Sequence, residues 1–196
     1  NVHAVTVVRA EDRGCTWGDI SVICKDLEAV DSGNSTAFHQ ASLVLMPGGE
    51  IIAAMQSGGK RLEGQVRPMM GFWISRSSDA GYTWSAPERL PIRISGWSRE
   101  KIVTGATHHM LRLNDGRLLL TWGHRDDCTI RAATSHDGGQ TWDSCEGWVL
   151  RQGVDVRDIG EPCSVQLPDG RIFTVYYWGN DADDPMLYIE GTMFDI

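Results

Sequence analysis

The chain has 196 residues, of which 41% are hydrophobic and eight are Trp, so it is long enough to bury the core of one domain. Its formal net charge is −8 and no stretch concentrates Lys and Arg, which argues against nucleic acid or an anionic membrane surface as a partner. No apolar run reaches the roughly 20 residues of a membrane span and no signal peptide is visible; the compartment stays open, with the cytoplasm favoured.

The first strand is expected at residues 3–8, where β-branched residues dominate, and a second near residues 20–23. Between them lies a turn-forming stretch, Ala10–Trp17. A β-hairpin follows at residues 40–55, with Pro and Gly at its turn. This hairpin recurs at residues 109–122 and 163–177, and its turn glycines, Gly49, Gly116 and Gly170, are separated by 67 and 54 residues.

After each of the first two hairpins, a strand leads into an octapeptide of the pattern S-x-D-x-G-x-T-W. These octapeptides are Ser77–Trp84 and Ser135–Trp142, with their Asp residues 58 positions apart. The stretch Ala10–Trp17 keeps the D-x-G-x-T-W half. Asp suits hydrogen bonds to nearby backbone N–H groups, Gly supplies a positive φ, and Trp is expected to bury its ring between sheets. The pattern predicts a tight turn between two strands, repeated along the chain.

These octapeptides resemble the Asp box, or BNR repeat, of the sialidase superfamily. The resemblance implies an all-β fold, a β-propeller of four-stranded antiparallel blades, with each box joining the third and fourth strands of a blade. It also implies that the box is structural and lies away from the active site. The residues assigned to this structural role are Asp12, Asp79, Gly81, Trp84, Asp137, Gly139 and Trp142.

About three blades are predicted in the chain, which corresponds to half of a six-bladed sialidase-like propeller. The predicted single segment 1–196 comprises a partial blade at 1–26, blades at 38–95 and 107–152, and a partial blade at 160–196. Three blades do not close around an axis and leave sheet faces uncovered. The chain is therefore either a fragment or one half of a homodimer that completes a six-bladed ring.

The turns and boxes are expected at one end of the blades, and the starts of the inner strands at the other. In the superfamily that this chain resembles, the second end carries the site. Polar and aromatic residues expected there as ligand-binding groups are Arg125, Arg157, His108, His109 and Trp178. For His108 and His109, structural and functional roles are left open.

The best-placed carboxylates for general acid or base chemistry are Glu161, Asp126 and Asp158. The superfamily uses a tyrosine nucleophile and three arginines, but its Arg-Ile-Pro motif is absent here. Glu161 also occupies a position where similar chains carry an aromatic hydroxyl. Tyr176 and Tyr177 are expected in the core, one facing each side of a strand.

Metal or cofactor binding is not predicted. The acidic run 180–184 lacks the register of a calcium loop and is interpreted as a turn. The five cysteines are odd in number and contain no C-x-x-C pair, so mostly buried, reduced thiols are expected rather than a disulfide framework or zinc site.

The sequence thus favours a sialidase-like propeller segment that binds, or hydrolyses, a glycan at the end carrying His108, Arg125, Arg157 and Glu161. The alternative is a non-catalytic propeller piece that self-associates or binds a protein. Absence of the Arg-Ile-Pro motif favours the alternative, and the charged residues at the inner-strand starts favour the enzyme.

Overall fold

The structure, a computed structural model, describes residues 4–25, 27–28, 35–59, 71–93, 107–125, 127–153, 159–179 and 186–196. These residues form strands and turns and contain no helix, and every paired strand is antiparallel to its neighbour. The all-β prediction is confirmed. In the described part of the chain, no helix has the length and hydropathy needed to span a membrane.

The chain divides into two compact units, Asn1–Arg89 and Leu90–Ile196. Unit 1 contains a two-stranded sheet, β1–β2, and a five-stranded sheet in the order β3-β4-β5-β6-β7. Its strands are β1 (Ala4–Arg9), β2 (Gly18–Lys25), β3 (Leu27–Glu28), β4 (Ser35–Leu45), β5 (Ile51–Gly59), β6 (Gly71–Ser77) and β7 (Glu88–Arg89).

The two sheets of unit 1 pack on each other through apolar side chains. Trp73 of β6 meets Phe38 edge to face at 5.6 Å, and Val5 and Val7 of β1 pack against the same cluster. The alternation of half-buried and exposed residues along β1 is what a strand with one covered face requires.

Unit 2 contains a four-stranded sheet in the order β11-β10-β9-β8 and a three-stranded sheet in the order β12-β13-β14. Its strands are β8 (His108–Arg112), β9 (Leu118–His124), β10 (Thr129–Ser135), β11 (Trp148–Arg151), β12 (Gly160–Gln166), β13 (Ile172–Gly179) and β14 (Leu187–Phe194). Consecutive strands are neighbours in each sheet, so each sheet is a simple meander, as expected of a propeller blade.

A buried chain of hydroxyl groups joins the two sheets of unit 2. The Ser164 hydroxyl lies 3.0 Å from Thr121 Oγ1 on β9 and 2.8 Å from Thr174 Oγ1 on β13. All three side chains are buried. Unit 2 also contains two buried apolar clusters, one around Trp178 and Ile130 and the other around Leu119 and Ile172. The hydroxyls satisfy one another, which removes the cost of burying them.

The three octapeptide turns fold alike and join β1 to β2, β6 to β7, and β10 to β11. In the second turn, the Asp79 carboxylate accepts hydrogen bonds from the Thr83 N–H at 2.9 Å and the Thr83 hydroxyl at 2.6 Å, and Trp84 Nε1 donates to Gly81 O at 2.9 Å. Asp137 and Trp142 make the same bonds in the third turn, as do Asp12 and Trp17 in the first. The Thr83 bonds lower the pKa of Asp79 to about 2.

Two expectations about burial are wrong in part. Trp17 is 67% exposed; its ring lies over Gly14 of its own turn, as the ring of Trp84 lies over Gly81, but only Trp84 also packs against the core of unit 1. Among the cysteines, Cys24 and Cys128 are buried, but three are exposed: Cys15, Cys145 and Cys163. Cys15 lies in a turn, and Cys163 lies on an uncovered sheet face.

Candidate functional site

The candidate site lies in unit 2, at the end of the sheets opposite the D-G-R turns. Because neighbouring strands are antiparallel, this end collects the starts of β8 and β12 and the ends of β9 and β13. Two hydrogen bonds hold β8 and β12 together there: the Glu161 N–H donates to Thr107 Oγ1, and the Ser164 N–H donates to His109 Nδ1. Residues from both sheets are thereby brought to one place.

Glu161 occupies a strained bulge at the start of β12. Its φ is +49°, in the left-handed region, and the pairing with β13 shifts register between Gly160 and Cys163. Gly160, with φ +141°, has no room for a side chain, since a Cβ there would lie 2.5 Å from Thr107 Oγ1. Left-handed non-glycine residues cost about 1–3 kcal/mol and collect at functional sites, where bulges redirect side chains. The Glu161 side chain is exposed.

Arg125 lies directly after β9 and is fixed by two hydrogen bonds. Its Nε donates to the carbonyl of Ile159 at 3.2 Å, and its Nη2 donates to the Tyr177 hydroxyl at 2.6 Å. Tyr177 pairs with Gly160 across β12 and β13, so Arg125 lies beside the bulge that presents Glu161. Tyr177 is half-buried; the expectation that it is a core residue is wrong, whereas Tyr176 is buried as expected.

The two histidines predicted as ligand-binding residues begin β8. His108 is buried, and His109 is half-buried with Nδ1 accepting the Ser164 N–H at 3.2 Å. Burial lowers the pKa of His109, so at neutral pH its imidazole is uncharged, with the proton on Nε2. The Nδ1 contact gives His109 a part in joining the two sheets; a ligand-binding role for the pair stays a prediction.

A second polar cluster supports the turn between β9 and β10. The Asp127 carboxylate accepts a hydrogen bond from Arg131 and lies 3.1 Å from Nδ1 of the buried His124. Arg131 also donates to Thr129 Oγ1 at 3.0 Å. This cluster holds the chain on either side of Arg125, and sequence analysis did not select it. The spacing of His124, Asp127 and Arg131, which places the partners three and four positions apart along the chain, was the available signal.

Trp178 is fully buried between the sheets of unit 2, with Arg151 over its ring at 4.8 Å, so the structure makes it a core residue rather than a ligand-facing one. Three other predicted site residues, Asp126, Arg157 and Asp158, lie outside the described residues. Within the described ranges, no group of three or more His, Cys, Asp or Glu side chains is placed to hold a metal ion.

A cavity of about 410 Å³ lies at the opposite end of unit 2, near the D-G-R and octapeptide turns. Two of its charged groups are already engaged: the Arg117 guanidinium donates to Asp115 and to the carbonyl of Ile196, and the Asp143 carboxylate accepts two hydrogen bonds from Thr134. The strained bulge and the Arg125–Tyr177 pair therefore mark the better candidate site.

Solved structures resemble the chain along almost its whole length, among them the following three. A protein of unknown function from Dyadobacter fermentans is 24% identical, with a TM-score of 0.68, and the match covers 98% of this chain and 46% of that one. An α-L-arabinanase from Penicillium chrysogenum, complexed with arabinobiose, is 18% identical, with a TM-score of 0.64 and coverage of 98% and 55%. The Hadza microbial sialidase Hz136 is 18% identical, with a TM-score of 0.66 and coverage of 96% and 38%.

These similarities establish the class of fold. The sheets of this chain are blades of a β-propeller fold. The chain spans about half the length, or less, of the structures that it resembles. No protein-family model and no curated protein sequence matches it.

Proposed function

We propose that this chain binds a glycan, and takes part in its hydrolysis, at the end of unit 2 that presents Glu161, Arg125 and Tyr177. The observation that carries the proposal is the Glu161 bulge. A left-handed carboxylate residue, anchored through its N–H to Thr107 and flanked by a glycine that admits no Cβ, is a costly way to build a strand. This conformational cost is explained if the Glu161 side chain must face a substrate.

Glu161 is the proposed general acid or base. Hydrolysis of a glycosidic bond requires a proton for the leaving oxygen and a second carboxylate for water or for the sugar carbon. Asp126 or Asp158 is the proposed partner. Arg125 is the proposed ligand-binding group, because its hydrogen bonds to Ile159 and Tyr177 fix the guanidinium beside the Glu161 bulge, and a fixed guanidinium suits a hydroxyl or a carboxylate. The same proposal identifies the octapeptide turns as BNR repeats of the sialidase superfamily.

The test compares Glu161→Gln with Glu88→Gln, in which an exposed carboxylate of unit 1 undergoes the same change. Hydrolysis of aryl sialosides, aryl arabinosides and arabinan oligosaccharides is measured for both variants. We expect at least a 100-fold loss of rate in Glu161→Gln, with unchanged thermal melting, and no loss in Glu88→Gln. Full activity in Glu161→Gln excludes the acid–base role.

A second candidate function, self-association without catalysis, is favoured by a separate observation. The β12–β14 sheet leaves one face uncovered, on which Val165, Leu187, Ile189 and Met193 are exposed. The β1–β2 sheet likewise exposes Val8, Ile20 and Val22. Exposed apolar faces of this kind mark interaction surfaces. We propose a second copy of the chain as the partner, because two copies together supply about the length of one structure that the chain resembles.

A further inference from the structure

Unit 1 repeats the local backbone that presents Glu161. Gln40 lies nine residues before the turn glycine Gly49, as Glu161 lies nine before Gly170. Gln40 has φ +48°, and the pairing of β4 with β5 shifts register between His39 and Ser42, directly around it. The same left-handed bulge therefore occurs at the same place in both inner strands.

The partner position on the second strand is also equivalent. Gln56 follows Gly49 by seven residues and pairs with His39, just as Tyr177 follows Gly170 by seven and pairs with Gly160. Unit 1 thus carries an amide pair, Gln40 and Gln56, where unit 2 carries a carboxylate and a phenol.

The amide pair has an unused acceptor. Gln56 is 6% exposed, and its Nε2 donates to Gln40 Oε1 at 2.6 Å. Among the described residues, Gln56 Oε1 has no hydrogen-bond partner although it is buried. Buried polar atoms are nearly always hydrogen-bonded, and an exception calls for a partner that is not part of the chain. Gln40, which accepts this hydrogen bond, is itself exposed.

We propose that Gln40 and Gln56 form a subsite for the hydroxyl groups of a neutral sugar. A hydroxyl can donate to Gln56 Oε1 and accept from an amide N–H, which matches the two roles that primary amides offer side by side. The pair carries no charge, so it gives no preference for a carboxylated sugar, unlike the guanidinium of Arg125. The inference rests on the proposed function, because the equivalence with Glu161 and Tyr177 assigns this end of the sheet to a ligand.

The experiment titrates the whole 196-residue chain with the neutral disaccharides arabinobiose and lactose, and with N-acetylneuraminic acid, by ligand-observed NMR and calorimetry. Gln40→Asn shortens the exposed side chain, and Asn tolerates the positive φ of this position. Gln56→Met removes the buried amide and keeps a similar side-chain volume. Gln152→Asn makes the first change at an exposed residue elsewhere and is the matched control. Arg125→Lys and Glu161→Gln report on the site in unit 2.

We expect Gln40→Asn and Gln56→Met each to weaken binding of a neutral disaccharide at least fivefold, and Gln152→Asn to change it less than twofold. Binding by these two variants at wild-type affinity, while Arg125→Lys loses it, overturns the subsite and leaves the proposed function standing. Weakening by the Gln variants with unchanged binding in Arg125→Lys and Glu161→Gln keeps the subsite and removes the site in unit 2. Failure of both disaccharides to bind wild-type chain at millimolar concentration also overturns the subsite.

Discussion

At the scale of single residues, His109 shows how one side chain serves both sheets of unit 2. Its Nδ1 accepts the Ser164 N–H, which only an unprotonated nitrogen can do. Protonation would break this bond and place a charge in a half-buried position. The folded state therefore takes up the proton less readily than the unfolded chain, in agreement with the lowered pKa of His109.

This arrangement predicts a pH dependence of stability. Above about pH 6.5 the imidazole is neutral in both states and contributes no slope; below that value the unfolded chain binds the proton first, so the free energy of unfolding falls as the pH falls. His109→Asn keeps an acceptor for Ser164 but does not titrate. Denaturation measures the free energy of unfolding at pH 7.5 and at pH 5. The decrease between these two pH values should be smaller in His109→Asn than in wild type, by about 0.5 kcal/mol or less because the ring is partly exposed. Equal losses in both proteins would exclude this role.

At the scale of the element, the octapeptide turns separate local hydrogen bonding from packing. Trp17 and Trp84 both donate Nε1 to the carbonyl of their turn glycine, at 3.1 and 2.9 Å. Only Trp84 packs against a core cluster. The turn closes with or without a buried ring, so the packing of the ring is an additional contribution from its surroundings.

Alanine substitutions can measure that contribution. Trp84→Ala should lower the free energy of unfolding by about 2 kcal/mol, because it removes buried apolar area, whereas Trp17→Ala should lower it by less than about 0.5 kcal/mol. Urea denaturation of both variants measures the difference, with the Nε1 bond lost in each. Similar losses would mean that the hydrogen bond, rather than packing, stabilises the turn.

The sequence predicted these elements well and the site less well, for physical reasons. Hairpins and octapeptide turns are local: their Gly, Asp and Thr residues form bonds within a few positions, so a repeated pattern suffices to find them. The Arg125–Tyr177 pair joins residues 52 apart, and its formation depends on how β9 packs beside β13. The burial of Trp178 likewise depends on a neighbouring sheet. Gln40 and Glu161 lie the same number of residues before their turn glycines, and this equal spacing could have revealed the bulges. Neither Gln nor Glu indicates a positive φ by itself, however.

At the scale of the whole molecule, the main feature is the apolar sheet faces that are exposed to water. Ile189 is 74% exposed and Ile20 is 70% exposed, on sheets whose opposite faces are covered. Isolated exposed apolar residues are ordinary, but rows of them on paired strands leave a continuous apolar surface in water. The proposed dimer, in which two copies complete a six-bladed ring, would cover these faces.

Sedimentation equilibrium at micromolar concentration tests the association. We expect a species of twice the 21.7 kDa chain mass, and dissociation to the monomer on Ile189→Lys, since a charge would then lie in the buried interface. Val149→Lys, on β11, places the same charge at an exposed apolar residue outside these faces and should leave the dimer intact. A well-folded wild-type monomer would overturn the proposal.

The hydrogen bonds between β12 and its neighbouring sheet affect the entropy of ligand binding. Glu161 is tied to Thr107, Ser164 to His109 and Thr121, and the last of these ties is buried. Strand β12 cannot slide or tilt against β8 and β9 without breaking all three, so the backbone beneath Glu161 is preorganised. The entropy lost on binding then falls mainly on the ligand and on the exposed side chains, and a rigid ligand should gain more affinity here than a flexible one of the same composition.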